Sequence, residues 1–254
     1  MTSKLHRERD VRRVGLARAL SKLGYCSRSH AAALIRAGRV KLNEIERRDP
    51  EMPVHVGRDR IEVNGKLAAA ARKIYFMMNK QRGVITTASD ENARKTVYEN
   101  LRDDLPWVAP VGRLDKASEG LLLLTNDSEW AARITVPETH LDKTYHVQVN
   151  AIVRPQDLQV MMHGMRTSVG ETLRAKSAAI LRQGERNTWL VIVLDEGRNR
   201  HIRRMLEQMG VEVLRLVRVA IGPLWLGDLA KGAYRALSVQ EKKMLDRAMD
   251  TRQR

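Results

Sequence analysis

The sequence predicts an α+β protein: a small, basic α/β unit at the N-terminus, then a larger unit built on a mixed, mostly antiparallel sheet flanked by helices. Three observations carry that prediction. Short apolar or alternating runs bounded by Gly, Pro and Asn-Asp recur along the chain, as strands do, with helix-spaced stretches between them. No acidic residue lies between Asp10 and Glu44, whereas Arg12, Arg13, Arg18, Lys22, Arg28, Arg36, Arg39 and Lys41 all do. Apolar residues make up 43% of the chain but aromatics only 4%, so a core can form and it is aliphatic. The 254 residues suffice for one large domain and one small one.

The small unit is expected over residues 11–66. Leu16, Leu20 and Leu23 fall at helical spacing, and Gly24 can close that helix as a left-handed cap. Ser27 is placed to cap a second helix that carries Ala31, Leu34 and Ile35 and stops at Gly38. Val40–Leu42 starts a strand. Val54–Val56 and Ile61–Val63 alternate like short strands, and Asn64-Gly65 is a tight-turn pair. A merely solvated face mixes both signs of charge. An acid-free stretch with Arg28 and Arg36 off the apolar stripe, followed by Arg39 and Lys41, instead suits phosphate.

Leu67–Arg72 is small and featureless, a joint to a second unit expected over residues 73–238. Lys73–Lys80 reads as a buried strand. Residues 83–104 are polar, a loop with a short helix around Thr96–Leu101. Asp127 or Ser128 can cap a helix that ends near Pro137. Lys143–Val149 alternates, with Tyr145, Val147 and Val149 on one side and Thr144, His146 and Gln148 on the other. Pro155 can start a helix carrying Leu158, Val160 and Met161. Ala175–Leu181 and Trp189–Leu194 read as strands. After Gly197 a helix is expected to Met209, with Ile202, Met205, Leu206 and Met209 as its apolar stripe and Arg203 beside it. Val213–Val219 is a further strand. Ser238 and Glu241 make a capping-box pair for a last helix, which with a basic tail occupies residues 239–254.

The stretch on which the rest is organised is Val111 to Asp127. Leu121–Leu124 is a short apolar run, a strand buried on both faces or a piece of buried helix; the flanking Gly120 and Asn126-Asp127 favour strand. Before it come Arg113, Asp115, Lys116 and Glu119. An Asp among Arg and Lys is held ionised. On a loop backed by a rigid strand such a carboxylate can act as nucleophile or general base; a solvated surface ion pair is the plainer alternative.

Composition narrows the function further. A formal net charge of +16 exceeds what solubility asks for and points to a polyanion, nucleic acid before an anionic membrane. There is no run of about 18 apolar residues and no apolar signal region near the N-terminus. Cys26 is alone, so no internal disulfide forms, and a cytoplasmic protein is the simplest expectation. The seven His show no metal-ligand spacing, which argues against a metal-dependent nuclease. Neither GxGxxG nor GxxxxGK[ST] is present, so no phosphate-cradling loop is expected.

GRLDKASEGLLLLTND, with Lys143-Thr144-Tyr145 further on, resembles the bacterial ribosomal-RNA pseudouridine synthases. EGRNRHIRRML resembles the third motif of that family, with His201 where Gln or Glu is usual. Asn79-Lys80-Gln81-Arg82-Gly83 resembles its Asn-Lys-Pro-x-Gly turn, with Gln81 at the Pro position. The resemblance covers about residues 73–235 and implies the pseudouridine synthase fold. LARALSKLGYCSRSHAAALIRAGRVKLN, within about residues 14–62, resembles the S-four-type RNA-binding domain. That likeness implies that Arg28, Arg36, Arg39 and Lys41 grip structured RNA, positioning it without much sequence choice.

From the resemblance, Asp115 is the catalytic aspartate, Arg203 its ion-pair partner, and Tyr145 the stacking partner of the target base. Arg113 and Lys143 support them, and Arg198, Arg200 and Arg204 join the RNA-binding set. The implied reaction isomerises a specific uridine to pseudouridine in ribosomal RNA with no cofactor and no metal. The stretch from Glu196 to Gly222 looks more like the large-subunit modifiers. The implied partner is ribosomal RNA or a pre-ribosomal particle, with no membrane, and the protein is expected to be a monomer. An RNA-binding factor without catalysis is the rival, disfavoured by intact Asp115, Tyr145 and Arg203.

Overall fold

In the computed structural model, which describes residues 13–87, 94–167 and 170–250, the chain clusters into two units. The first comprises residues up to Lys73 with 106–108 and 126–128; the second holds the remainder. Arg12 and the last four residues of the tail lie outside the described residues.

The first unit follows its sequence pattern closely. β1 (Val14–Gly15) leads into α1 (Leu16–Lys22), and α2 (Arg28–Arg36) follows. Gly24 and Gly38, both with positive φ, lie just beyond the two helices. The Ser27 hydroxyl accepts a hydrogen bond from the His30 amide at 3.1 Å, the expected N-cap. β2 (Val40–Leu42) lies between β3 (Ile45–Arg47) and β5 (Ile61–Val63), and β6 (Lys66–Leu67) pairs with β5. Asn64 and Gly65 join β5 to β6 with φ of 52° and 75°, as a two-residue hairpin turn requires. Only β4 (Pro53–Val54), paired with β1, forms where a strand over Val54–Val56 was expected. Leu16, Leu20, Ile35, Val40 and Val54 form the centre of an aliphatic core. Cys26 is buried in it, and burial pushes its thiol up to about 11, so it is unreactive at neutral pH.

The second unit is a nine-stranded sheet. Its strands are β7 (Tyr75–Lys80), β8 (Ala109–Val111), β9 (Glu119–Thr125), β10 (Lys143–Val149), β13 (Ser177–Gln183), β14 (Thr188–Leu194), β15 (Val213–Ile221), β16 (Leu224–Trp225) and β17 (Tyr234–Ala236). The order is β13-β14-β10-β15-β9-β7-β17, with β8 on β9 and β16 on β15. All pairings are antiparallel except β15 with β9, so the sheet is mixed as the sequence predicts. A small hairpin, β11 (Met165–Arg166) with β12 (Thr172–Leu173), stands apart from it. The helices are α3 (Ser128–Thr135), α4 (Pro155–His163), α5 (His201–Gln208) and α6 (Val239–Asp250).

Two cores fill this unit. Val147, Val149, Leu190 and Ile192 pack with Leu158 and Met161 of α4 and with Ile202, Met205 and Leu206 of α5. Met77, Leu121 and Leu123 pack with Trp130 and Ile134 of α3 and with Leu245 and Met249 of α6. The Trp130 indole donates to Asp246 at 2.9 Å, so α6 is integral to this core. Its capping box forms as predicted: the Ser238 amide donates to Glu241 and the Glu241 amide to the Ser238 hydroxyl. Hydrogen bonds from Arg235, aided by Ser238, pull the Glu241 carboxyl down to about 2.

Gly120 is where β9 meets β15. Its φ is +103°, and a Cβ there would come within 2.3 Å of the Arg218 carbonyl oxygen. Gly120→Ala is therefore expected to combine backbone strain with a forced separation of the parallel pair. Urea unfolding of the whole protein should show a loss of about 2–6 kcal/mol. A loss under about 1 kcal/mol would mean that this contact does not constrain the sheet.

Candidate active site

The loop between β8 and β9 is held by its own main chain. Gly112, at φ +71°, turns the chain out of β8. Five successive carbonyls then find donors. Leu114 accepts from the Thr86 hydroxyl at 2.8 Å, and Asp115 from the Ser118 amide at 2.9 Å. Lys116 accepts from the Gly83 amide at 2.7 Å, and Ala117 from Arg203 at 3.0 Å. The Lys80 ammonium donates to the carbonyls of Asp115 (3.1 Å), Ser118 (2.9 Å) and Gln81 (3.0 Å). Lys80 is fully buried. Burial pushes its ammonium down to about 8, against the pull of Asp115 and Glu119, so it still carries its charge at neutral pH.

Asp115 projects from this loop, part exposed, into a cavity of about 680 Å³. Lys143, Tyr145, Arg200, Arg203 and Arg218 line the same cavity, with Arg113, Arg198 and His201 also on its wall. Lys143 and Tyr145 are two residues apart on β10, hence on one side of the strand. Tyr145 backs onto the core cluster beneath α4 and α5. The sequence-predicted residues Asp115, Tyr145, Arg203, Lys143 and Arg113 are thus brought together.

Arg203 reaches the site in a different manner from that expected. Its guanidinium donates to the Ala117 carbonyl at 3.0 Å and the Val213 carbonyl at 3.5 Å, and no ion pair with Asp115 closes among the described residues. Its acceptors are main-chain carbonyls, one in the loop and one at the start of β15. Burial lowers the proton affinity of the guanidinium, as do Arg200 and Arg82, while Asp115 raises it. The aspartate therefore lies within its field without a direct bond.

The expected helix after Gly197 begins only at His201. Arg200 sits at φ 50°, a left-handed residue that stops helical propagation towards the strand and leaves 197–200 as a turn on the cavity wall. Of the arginines here, Arg198 bonds Glu171 and Glu196, and Arg204 bonds Glu171. Arg200 is exposed and meets no carboxylate among the described residues. His201 is buried, and desolvation pushes its imidazole down, so it is neutral at pH 7.

Two residues of the site went unread in the sequence. Lys80 ends a strand that is otherwise buried, and a lysine in such a run is the signal that could have found it. Arg218 interrupts the apolar strand β15. Its Nε donates to the Leu121 carbonyl at 2.7 Å, and its Nη2 is buried with no partner. In the first unit Arg28, Arg36, Arg39 and Lys41 are all exposed, and Arg39 donates to Asn64 at 2.7 Å. No cluster of His, Cys, Asp and Glu able to hold a metal occurs among the described residues. No helix among them is long and apolar enough to cross a membrane.

Comparison with known proteins matches residues 74–208 to a family described as RNA pseudouridylate synthase and residues 14–61 to the S4 domain. Ribosomal large subunit pseudouridine synthase B of Bacillus subtilis is 37% identical over 91% of this chain and 94% of its own length. An uncharacterized RNA pseudouridine synthase of Aquifex aeolicus is 38% identical over 93% of this chain and 95% of its own. A crystal structure of a pseudouridylate synthase superposes with a TM-score of 0.65 at 28% identity, covering 91% of this chain and 99% of that one.

The carbonyl lattice generates a test. In Lys80→Met the cost of keeping a buried charge disappears along with three hydrogen bonds, so global stability is expected to change by less than about 2 kcal/mol. The loop should loosen nonetheless. Hydrogen exchange of amides 114–118 is expected to accelerate at least about tenfold, a local opening without global unfolding. Exchange at the wild-type rate would show that the other donors suffice.

Proposed function

The chain belongs to the RNA pseudouridylate synthase family, and we propose that it acts on large-subunit ribosomal RNA, with Asp115 as the carboxylate that drives the reaction. The family activity is the isomerisation of uridine to pseudouridine in RNA. The C1′–N1 bond breaks, the uracil turns, C1′ joins C5, and the proton lost from C5 is balanced by one gained on nitrogen.

The observation that carries the site assignment is the position of Asp115. It projects into the cavity from a loop in which each carbonyl from Leu114 to Ser118 is held. A carboxylate so fixed needs little reorganisation as charge develops, the condition under which electrostatic stabilisation is strongest. Tyr145 offers its ring to the flipped uracil, and Lys143 and Arg113 supply positive charge at the rim. Arg203 braces the Asp115 loop and lends it a neighbouring cation. Arg218 lines the same cavity and adds positive charge to its wall.

Target access requires the base to leave its stack, which costs a few kcal/mol. Exposed Arg28, Arg36, Arg39 and Lys41 offset that cost through phosphate contacts in the S4 domain. Arg200 extends the grip at the cavity. Arg198 and Arg204 contribute less, because Glu171 already engages both. The large-subunit reading is supported by the name of the Bacillus subtilis relative. A monomer working in the cytoplasm on ribosomal RNA or a pre-ribosomal particle fits this reading.

Asp115→Asn is nearly isosteric and should abolish pseudouridine formation while leaving RNA affinity within about twofold. Base-resolution mapping of ribosomal RNA from cells carrying wild type, the variant or no gene would show one or more large-subunit sites lost in the last two. Normal modification by the Asn variant would remove Asp115 from the mechanism. A lost site in small-subunit RNA would overturn only the choice of substrate.

The S4 assignment has its own test. Changing Arg28, Arg36, Arg39 and Lys41 together to Ala should weaken RNA binding and flatten its salt dependence by somewhat under about one unit of slope per lost contact. The maximal single-turnover rate at saturating enzyme should stay near wild type, since Asp115, Tyr145 and Arg203 belong to the other unit. An unchanged salt slope would mean that these four residues form only a solvated surface.

A further inference from the structure

The two sides of the sheet in the second unit are treated very differently. On β14, Leu190, Ile192 and Leu194 are buried, while Trp189, Val191 and Val193 between them are part exposed. On β10, Val147 and Val149 are buried and His146 and Gln148 are not; on β15, Leu216 and Arg218 are buried and Arg215, Val217 and Val219 are not. The buried set packs with α4 and α5 and includes the side that bears Tyr145 and Arg218. Successive residues on a strand point to opposite faces, so the open set lies on the face away from Asp115.

Strand register assembles the open set into rows. Arg182, Trp189, Gln148 and Arg215 are cross-strand neighbours. So are Ala179, Val191, His146 and Val217. A third row runs from Val193 through Thr144 and the buried Ala220 to Trp225, which is 58% exposed. A shallow cavity of about 430 Å³ opens among His146, Leu181, Arg182, Trp189, Val217 and Val219. The guanidinium carbons of Arg182 and Arg215 lie 5.1 Å and 5.6 Å from the Trp189 ring centre.

We infer that this open face is a second RNA-binding surface, on which unpaired nucleotides stack on Trp189 and Trp225 while Arg182 meets their phosphates. Charge selects the occupant. The one carboxylate in the rows, Glu119, is buried and already bonded by Arg215 and Lys231. Burial opposes its charge, but those two cations outweigh it and hold the carboxyl below its usual range. Arg182 is exposed and meets no carboxylate among the described residues. An apolar protein partner laid on Val191 and Val217 would bury that charge unpaired, whereas a phosphate matches it. His146 is pushed down by burial and by Arg182, so at pH 7 it is neutral and offers a ring nitrogen to a base edge.

Stacking on an aromatic ring with arginine alongside is how unpaired nucleotides are held without sequence choice. Arg182 can swing from the ring to a phosphate and leave the ring to a base. β13 is the outermost strand beside β14, so an RNA strand can pass around that edge from one face to the other. The face therefore adds affinity only for substrates longer than the segment held at Asp115.

The test uses the full chain and a long ribosomal RNA fragment bearing 5-iodouridine in its unpaired segments. Photocross-links are expected in the peptides that carry Trp189 and Trp225, in addition to those of the catalytic cavity and the S4 domain. Cross-links confined to the latter two would overturn the inference. In parallel, Trp189→Ala with Arg182→Ala should lower affinity for a long ribosomal RNA fragment about tenfold or more. Affinity for a minimal stem-loop and the maximal single-turnover rate should not change, and Trp189→Phe should retain most of the binding. Equal affinity of the double variant for the long RNA would refute the surface. So would a wild-type dimer that the double variant dissolves with RNA binding intact, since the face would then join two copies. If the double variant does not fold, the cross-link map of the wild-type protein decides.

Discussion

The site depends on one buried ammonium. Lys80 places a positive charge where water is excluded, and among the described residues it is compensated by three carbonyl oxygens and the fields of Asp115 and Glu119. Such a group destabilises the fold unless its three donors are all used, and here all three are. Its geometry is therefore dictated: the Asp115 turn, the start of β9 and the end of β7 must converge on one point. The neighbouring donors from Thr86, Gly83 and Arg203 complete the constraint, so the aspartate is carried by a loop with little freedom left. Rigidity is supplied by main-chain acceptors, and the Asp115 side chain remains available for chemistry.

The same arrangement explains why β9 is buried along its whole length and yet begins with a glycine pair partner. Gly120 lets the main chain of Arg218 approach closely, and Arg218 then reaches across to the Leu121 carbonyl. A side chain at position 120 would separate these strands and withdraw Arg218 from the cavity. The parallel β9–β15 contact, only two residues long in register, thus joins the half of the sheet that carries Asp115 to the half that carries Tyr145. The geometry of the Asp115 cavity across that seam rests on backbone fit rather than on side-chain packing.

Local features were legible in the sequence and non-local ones were not. The Ser27 cap, the glycine stops at Gly24 and Gly38, the Ser238–Glu241 box and the buried Leu121–Leu124 strand each depend on residues within a few positions of one another. Asp115 was legible as a carboxylate on a strand-backed loop. Lys80 contacts a carbonyl 35 positions away, and Arg203 one 86 away, so no periodicity records either bond. The Arg203–Asp115 pair that the resemblance implies is not formed for that reason: whether the side chain meets carboxylate or carbonyl is decided by tertiary distance. The neighbours of Arg200 suit a helix, but its own left-handed backbone overrides them.

The cations of this chain are not equivalent as partners for a phosphate. Arg198 and Arg204 share Glu171, Arg235 holds Glu241, and Arg215 and Lys231 hold Glu119. These pairs stabilise local structure and offer a phosphate little, since an existing partner must first be given up. Arg28, Arg36, Lys41, Arg182 and Arg200 meet no carboxylate among the described residues, and each is exposed. They fall in three places: the S4 domain, the wall of the Asp115 cavity and the open face of the sheet. Positioning by several weak contacts suits a ligand that must meet a carboxylate on a loop with little freedom.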